Sequence, residues 1–148
     1  METLDGFSTA TNNTSATKQN IIEYLPPVLI LHLKRFVFDS VEYRTVKVHK
    51  HIAYSKTLHI RPELLAHTLQ PTNGKMNKSL EYSLFSVVYH HGKHAAGGHY
   101  TCDVRRDNAE WLHIDDDYVE PTSVDEVCKE RSDRNAYMLF YRLNEKIQ

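Results

Sequence analysis

The chain has 148 residues, which is enough for about one domain with a hydrophobic core. Its formal net charge of −1, with histidines neutral, excludes the strongly basic surface that would attract nucleic acid or an anionic membrane. No apolar run approaches the ~20 residues of a membrane-spanning helix, and two cysteines predict no disulfide framework. We therefore expect a chain that works in a reducing compartment and binds neither nucleic acid nor membrane.

The first part of the chain is polar and is followed by an apolar run. Residues 1–20 are rich in Thr, Ser and Asn, with little to bury, and we expect them to be a mobile polar lead-in. Residues 28–38 are mostly β-branched, aliphatic or aromatic, and they predict a long central strand. The polar residues within this run, His32, Lys34 and Arg35, are expected to form a solvated or edge-facing stripe.

The remaining segments are mostly extended and are separated by turns. They predict strands over residues 43–48, 52–60 and 80–89, a short helix over 62–69, a loop over 70–78, a helix from the cap at Thr122 or Ser123 to Arg131, and a closing strand over 135–143. Because strands outnumber the two short helices, we predict an α+β fold dominated by a mostly antiparallel sheet.

A β-hairpin with a glycine pair at its start is predicted near residue 100. Gly97 and Gly98 can adopt backbone angles that are closed to other residues, and they let another chain approach closely. The strand after them alternates, which puts Tyr100, Cys102 and Val104 on one apolar face. We expect that face to be buried.

The second strand of this hairpin ends at Asp115. Folding about residue 107 pairs residue i with residue 214 minus i, so His99 lies opposite Asp115. In the same register Leu112 and Ile114 join the apolar face. A slip of one residue would turn one apolar set outward, whereas a slip of two would not, so burial leaves that second alternative open.

The predicted pairing brings an imidazole and a carboxylate together. Directly opposed residues have Cβ atoms roughly 4.5–5.5 Å apart, which permits a hydrogen bond between His99 and Asp115. That bond would fix the tautomer and the ring direction of the histidine. A histidine held in this way beside a glycine-lined groove is the base half of a nucleophile–His–Asp triad. The spacing alone is equally compatible with a surface hairpin that merely carries a histidine and acids.

A metal site is a second interpretation of the same region. Four zinc ligands could come from His90, His91, His94 and His99 together with Cys102 or Asp103. Their spacing matches no defined zinc pattern, and the glycines among them would make a loosely held cage. We therefore expect no metal and no other cofactor.

Four segments resemble, in order, motifs of the ubiquitin-specific proteases, a ubiquitin carboxyl-terminal hydrolase family: LPPVLILHLKRF, GGHYTCDV, WLHIDDDYV and NAYMLFYRL. They match the C-terminal half of the family's catalytic domain, and the resemblance covers roughly residues 16–143. The run SLFSVVYHHGKHAAGGHYTCDV looks most like the ubiquitin carboxyl-terminal hydrolase 10 subfamily. The resemblance implies a papain-like cysteine protease fold with a palm-like sheet, present here as a partial domain over residues 21–144.

The family resembled consists of thiol-dependent deubiquitinases, which hydrolyse the isopeptide bond after the C-terminal Gly-Gly of ubiquitin. By motif match, the resemblance implies that His99 is the general base and that Asp115 orients it. Asp116 matches a second acid that some members use. The groove for the ubiquitin tail would be lined by Gly97, Gly98 and Tyr100.

The nucleophile of the family has no match in this sequence. In the family that cysteine lies in a box near the start of the catalytic domain. Here Cys102 alternates away from His99 and Cys128 lies in the predicted late helix, so both are expected to be buried or semi-buried small hydrophobes.

The resemblance thus implies a part of an enzyme that binds ubiquitin and ubiquitinated proteins. It would need the N-terminal half of the catalytic domain for activity and would be inactive alone. The alternative is a catalytically inactive ubiquitin-binding or interaction module derived from a truncated family member. The expected location is the cytoplasm, with the nucleus as a second location.

Overall fold

The computed structural model describes residues 2–4, 8–9, 12–13, 16–69, 80–94 and 97–144. The loop predicted over residues 70–78 lies outside the described residues. The chain divides into two compact units, Met1–Leu25 with Ile60–Ser79 and Pro26–His59 with Leu80–Gln148. The domain boundary expected near residue 21 stays a prediction, because a compact unit is defined by contacts and not by independent folding.

In the first unit, part of the predicted polar lead-in is strand. β1 (Glu2–Leu4) pairs antiparallel with β4 (Ala16–Lys18), and β2 (Ser8–Thr9) pairs with β3 (Asn12–Asn13). Polar composition alone did not reveal these pairings, because backbone ladders can form between polar residues.

The short helix predicted over residues 62–69 is instead two 3-10 turns, Pro62–Leu64 and His67–Leu69. Pro62 begins the first turn, as its fixed backbone angle favours. The turns are interrupted at Leu65, which forms an isolated parallel bridge with Ile22. A bridge to another segment takes Leu65 out of the helical conformation, so the helix does not continue.

The second unit contains the remaining elements. In chain order they are β5 (Val28–His32), β6 (Phe36–Asp39), β7 (Arg44–Lys47), β8 (Thr57–Ile60), β9 (Leu80–His91), β10 (His99–Arg105), β11 (Trp111–Asp115), β12 (Tyr118–Thr122), α1 (Val124–Cys128) and β13 (Arg134–Leu143). A sheet runs in the order β12-β11-β10-β9-β13-β5, with β8 also paired to β9. Each neighbouring pair along that order is antiparallel, so the predicted α+β fold with a mostly antiparallel sheet is confirmed.

The predicted central strand over residues 28–38 is two strands, and β5 lies at the edge of the sheet. The chain turns inward between them at Arg35, which is only 3% exposed. Its guanidinium donates to the carbonyls of Ala136, Val48 and Lys50. The prediction of a solvated stripe is therefore wrong for Arg35, because backbone carbonyls replace water around its charge, whereas the other two members of the stripe are exposed.

One face of the sheet is the core of the second unit. Its buried residues are Leu84, Val87, Tyr89, Thr101, Asp103, Trp111, Ala136, Leu139 and Tyr141. Helix α1 packs here through Val127, whose carbonyl accepts a hydrogen bond from the hydroxyl of Tyr54 at 2.6 Å and lies 3.1 Å from the hydroxyl oxygen of Tyr89.

The burial of the hairpin is inverted relative to the prediction. The face expected to be buried includes Tyr100, which is 48% exposed, whereas Thr101 and Asp103 on the other face are 4% and 0% exposed. The inversion arises because the apolar neighbours Val87 and Tyr89 of β9 lie on the side of Asp103. Composition within one strand could not show which side its neighbours would cover.

Helix α1 is shorter than the predicted helix, which runs to Arg131. Ser123 caps it as predicted, since its hydroxyl accepts a hydrogen bond from the backbone N–H of Glu126 at 3.3 Å. The helix ends at Cys128 because Lys129 is extended and leads the chain toward β13. Within the described residues, no helix is long and apolar enough to cross a membrane.

Candidate active site

His99 is the first residue of β10 and Asp115 is the last residue of β11. The two side chains meet at the edge of the hairpin that lies next to the glycine pair. The Nε2 atom of His99 donates a hydrogen bond to Oδ1 of Asp115. Both side chains are about half exposed, at 44% and 43%. The contact that the hairpin pattern predicts is present, and solvent or a substrate can reach it.

The register of the hairpin differs from the predicted one by two residues. Cys102 lies opposite Ile114 and Val104 lies opposite Leu112, whereas folding about residue 107 would place Cys102 opposite Leu112. The parity is as predicted, since the same apolar residues share a face. The contact to Asp115 is therefore diagonal, and it forms because an imidazole and a carboxylate are long enough to reach across.

Asp116 completes a cluster with these two residues. Ligand atoms of His99, Asp115 and Asp116 lie within 4.8 Å of one another. Asp116 begins the tight turn between β11 and β12, and its φ of 52° lies in the left-handed region that Asp tolerates better than most residues. The turn thus returns a second carboxylate toward the histidine.

The electrostatics of the cluster raise the pKa of the histidine and lower that of its acid partner. The hydrogen bond that His99 donates to Asp115 is the main cause that raises the pKa of His99 above its ordinary value. The same bond is the main cause that lowers the pKa of Asp115. Within the described residues, Nδ1 of His99 has no hydrogen-bond partner, so this nitrogen is the one left to exchange a proton.

His91 supports the cluster from the neighbouring strand. It pairs with His99 across β9 and β10, with ring centroids 5.8 Å apart. A ring nitrogen of His91 hydrogen-bonds the hydroxyl of Thr101 at 2.8 Å. Burial, and secondly the charge of His99, lower the pKa of His91. A neutral His91 therefore adds little repulsion to a protonated His99.

The glycine pair is held in conformations that suit glycine. Gly97 has φ 101° and Gly98 has φ 152°, and both are exposed. A Cβ added to Gly98 would lie 2.3 Å from Nε2 of His90 and 2.6 Å from the carbonyl oxygen of His91. A Cβ added to Gly97 would meet no atom within 4 Å among the residues that the structure describes. Gly98 thus permits a close approach inside the fold, and Gly97 borders open space.

Tyr100 lies on the face of the sheet opposite to His99. It is 48% exposed and packs its ring against His90 and Tyr137, with centroids 4.9 Å and 5.7 Å apart. Gly97 and Gly98 directly precede His99 along the chain, whereas Tyr100, the third predicted groove residue, follows it and lies on the other face. The substrate-binding role of all three stays a prediction.

The alternative zinc set is not brought together. His90 and His91 are consecutive residues of β9 and therefore point to opposite faces. His90 is 2% exposed and packs against the ring of Phe36. Among the described residues, the cluster of possible metal ligands is the set of His99, Asp115 and Asp116 instead.

Both cysteines are free thiols of intermediate burial. Cys102 alternates onto the face opposite to His99, as predicted, and it lies between Val88 and Ile114. Burial is the main cause that raises the pKa of Cys102 and of Cys128. A raised pKa keeps a thiol protonated and poorly nucleophilic at neutral pH.

The burial of the Asp103 carboxylate was not predicted from the sequence, which offered this residue only as a possible zinc ligand. Asp103 accepts hydrogen bonds from the hydroxyl of Tyr89 at 2.7 Å and from Nδ1 of His113 at 2.6 Å. The guanidinium of Arg134 lies 3.4 Å from the same carboxylate and 3.8 Å from the ring centroid of Tyr89. The alternation of residues placed Asp103 on the polar face, so only knowledge of which face is buried would have revealed it.

Comparison with protein families and known proteins identifies relatives of this chain. A family model described as ubiquitin carboxyl-terminal hydrolase matches residues 7–141. Ubiquitin carboxyl-terminal hydrolase 10 of Mus musculus is 42% identical over 95% of this chain, and probable ubiquitin carboxyl-terminal hydrolase 3 of Schizosaccharomyces pombe is 39% identical over 95%. The chain spans 18% and 29% of the length of these two relatives.

Solved structures share the fold of the chain. A SAGA Ubp8/Sgf11/Sus1/Sgf73 DUB module bound to ubiquitin aldehyde has a TM-score of 0.71 and 26% identity, covering 84% of this chain and 26% of that one. A SAGA DUB module bound to monoubiquitin has a TM-score of 0.76 and 26% identity, covering 97% and 30%. The predicted papain-like partial fold and the resemblance to the hydrolase 10 subfamily are confirmed. With a family model matching over nine-tenths of its length, the chain belongs to the ubiquitin carboxyl-terminal hydrolase family.

Proposed function

We propose that this chain supplies the general base and its orienting acid to a thiol-dependent deubiquitinase. The observation that carries the proposal is the hydrogen bond from Nε2 of His99 to Asp115, with Nδ1 left for proton exchange. Membership of the family supports the reaction class, which is hydrolysis of the isopeptide bond after the C-terminal Gly-Gly of ubiquitin.

The reaction needs four proton transfers at His99, two in each of its two steps. In the first step its Nδ1 takes the proton of a cysteine thiol, and the thiolate attacks the carbonyl carbon of the last ubiquitin glycine. The imidazolium then gives that proton to the lysine amine, which leaves as the C–N bond breaks. In the second step His99 takes a proton from water as the water oxygen attacks the thioester carbon, and the imidazolium returns that proton to the cysteine sulfur as the C–S bond breaks and the ubiquitin carboxylate is released.

Asp115 serves both steps without changing its own protonation. Its carboxylate fixes the ring so that Nδ1 faces the nucleophile, and it stabilises the imidazolium that forms. The raised pKa of His99 and the lowered pKa of Asp115 are both consistent with this role. Asp116 is close enough to share it.

We propose that the nucleophilic cysteine lies outside this chain, in the N-terminal half of the catalytic domain. Cys102 lies on the wrong face of the sheet, and moving it to His99 would require a change of register. Burial raises the pKa of the thiols of Cys102 and Cys128. The chain alone is therefore inactive in this proposal.

Ubiquitin and ubiquitinated proteins are the proposed partners. The solved relatives described above carry ubiquitin aldehyde or monoubiquitin, which supports ubiquitin as the partner of this chain as well. Gly97 is exposed and borders open space, as a residue beside a threaded Gly-Gly tail should. A location in the cytoplasm, with the nucleus as a second one, is proposed from the two free cysteines and the family.

The test is turnover of a fluorogenic substrate attached to the ubiquitin C-terminus. The chain alone should give none, and the chain mixed with the N-terminal half of a family catalytic domain should give turnover that His99→Ala abolishes. Ubiquitin binding without turnover in the mixture would favour the alternative, an inactive ubiquitin-binding module. Turnover that survives His99→Ala would contradict the proposed base.

A further inference from the structure

Lys47, the last residue of β7, is a buried lysine without an acidic partner among the described residues. Only 8% of it is exposed, and its Nζ donates to the carbonyl oxygens of His90 at 3.1 Å and Gly92 at 2.7 Å. Burial, and secondly the charge of Arg35, lower the pKa of Lys47. Burying an ammonium group is unfavourable unless strong hydrogen bonds compensate, so these two carbonyls are important to its placement.

The two carbonyls lie where β9 ends and the connection to His99 begins. His90 pairs with Tyr100 across β9 and β10. Gly92 follows with φ 99°, and a Cβ added to it would lie 3.4 Å from Cα of Gly98. Gly92, at the start of the connection, therefore lies close to Gly98, which ends the connection one residue before His99.

A second contact comes from His49, two residues after Lys47, and holds the carbonyl of Lys93, the residue that follows Gly92. A ring nitrogen of His49 hydrogen-bonds the carbonyl oxygen of Lys93 at 3.1 Å. The segment after β7 is itself fixed, because Arg35 donates to the carbonyls of Val48 at 3.1 Å and Lys50 at 2.8 Å. The carbonyls of His90, Gly92 and Lys93 are thus hydrogen-bonded to Lys47 and His49. The backbone next to these two residues is in turn held by the buried Arg35.

We propose that Lys47 is a positioning residue for the catalytic histidine. Its ammonium fixes the carbonyls of His90 and Gly92, and this sets the start of β10 and the reach of His99 to Asp115. The inference rests on the proposed role of His99 and extends it to a residue that does not touch the reacting atoms. A methionine has nearly the same length and is less costly to bury, but it cannot donate to either carbonyl.

The first experiment follows the imidazole of His99 by NMR during a pH titration of the full chain, and it requires no turnover. In Lys47→Met we expect the midpoint of His99 to fall toward the ordinary histidine value, because the hydrogen bond to Asp115 weakens. The groups that face His99 are Asp115, Asp116 and His91. Loss of a nearby positive charge would by itself raise the midpoint, so a fall identifies repositioning.

The second experiment measures kcat and KM of the mixture with the N-terminal half. Lys47→Met should lower kcat about 10- to 100-fold, since small misplacements of catalytic groups have effects of this order, while KM changes less than about twofold. Lys47→Arg should restore much of kcat, because a guanidinium can donate to both carbonyls. Lys34→Met is the matched control, because it removes the same charge from an exposed position.

The outcomes separate this inference from the proposed function. An unchanged His99 midpoint in folded Lys47→Met, or a kcat equal to that of Lys34→Met, would overturn the positioning role. If Lys47→Met does not fold, Lys47→Gln, which can donate to one carbonyl, decides by the same two measurements. An inactive wild-type mixture would contradict the proposed function, and the titration of His99 would still decide the role of Lys47.

Discussion

Asp103 and His113 lie directly opposite each other on β10 and β11, with Oδ1 and Nδ1 2.6 Å apart. Asp103 is fully buried, and its other oxygen accepts a hydrogen bond from Tyr89 and lies 3.4 Å from Arg134. In the register two residues away, Asp103 would lie opposite Trp111 and would lose its histidine partner. The buried carboxylate therefore selects between two registers that apolar burial alone leaves equivalent.

Replacing Asp103 with alanine should lower the free energy of unfolding by about 3–5 kcal/mol, because Arg134 would stay buried without a counter-charge. Asp107→Ala is the control, since Asp107 is exposed in the turn of the same hairpin and should change stability by no more than about 0.5 kcal/mol. Urea unfolding of the two variants measures both values. Equal losses in the two variants would mean that the buried cluster does not hold the register.

The site was predictable from the sequence to the extent that its chemistry is local. The alternation of residues after Gly98 places His99 at the start of a strand, and the acids after Ile114 end the next strand, so their meeting follows from a hairpin of either register. The sheet was predictable for the same reason, since runs of β-branched and aromatic residues recur along the chain.

Features that depend on distant segments were not predictable. The local sequence indicates an exposed position for Arg35. It does not reveal the carbonyls that surround this side chain, because they belong to residues 13, 15 and 101 positions away. The local sequence likewise indicates an exposed lysine at a strand end for Lys47, because its hydrogen-bond partners come 43 and 45 residues later. Asp103 is buried by neighbours on β9, which its own strand does not reveal.

In the active mixture, Asp115→Asn should lower kcat by about 10⁴-fold, the loss known for the equivalent change in a serine protease triad. The amide cannot hold the imidazole in the required tautomer, although it leaves the shape of the site unchanged. Asp116→Asn should have a smaller effect, and Asp117→Asn, in the same turn, should have none. If Asp116→Asn were the damaging variant, the orienting role would belong to Asp116.

The stabilisation by the pair of His99 and Asp115 should depend on pH in a defined window. The raised pKa of His99 stabilises the folded state fully below the unfolded pKa of about 6.5, and this contribution is lost as the pH rises through the folded pKa. The lowered pKa of Asp115 stabilises the folded state above about pH 3.9. This contribution is lost as the pH falls through the folded-state pKa of Asp115.

The difference in unfolding free energy between the wild type and Asp115→Asn should therefore be largest between about pH 4 and pH 6.5. Denaturant unfolding at a series of pH values measures it. The difference should be small even there, because both side chains are about half exposed and solvent screens their interaction. A difference that grows as the pH rises above 8 would have the opposite sign and would contradict the hydrogen-bonded pair.

Gly98→Ala should destabilise the chain more than Gly97→Ala. Both positions have positive φ, where an L-residue costs roughly 1–2 kcal/mol. Only at Gly98 would the new methyl group also meet neighbours, the ring of His90 at 2.3 Å and the backbone carbonyl of His91 at 2.6 Å. Thermal unfolding should therefore show a clearly lower Tm for Gly98→Ala, and equal values would mean that the connection can shift to accommodate the methyl group.

Cys102→Ser and Cys128→Ser should leave kcat of the active mixture unchanged, because Cys102 does not face His99 and burial raises the pKa of both thiols. Cys102 lies on the other face of the sheet between Val88 and Ile114, and Cys128 ends α1. Since burial raises the pKa of both thiols, they should also react slowly with iodoacetamide at pH 7, whereas the nucleophile of the N-terminal half should react fast. Peptide mass spectrometry after brief alkylation distinguishes the three cysteines. Loss of turnover in Cys102→Ser, with rapid alkylation of Cys102 in the wild type, would show that this residue is the nucleophile and that β10 is paired differently in the active enzyme.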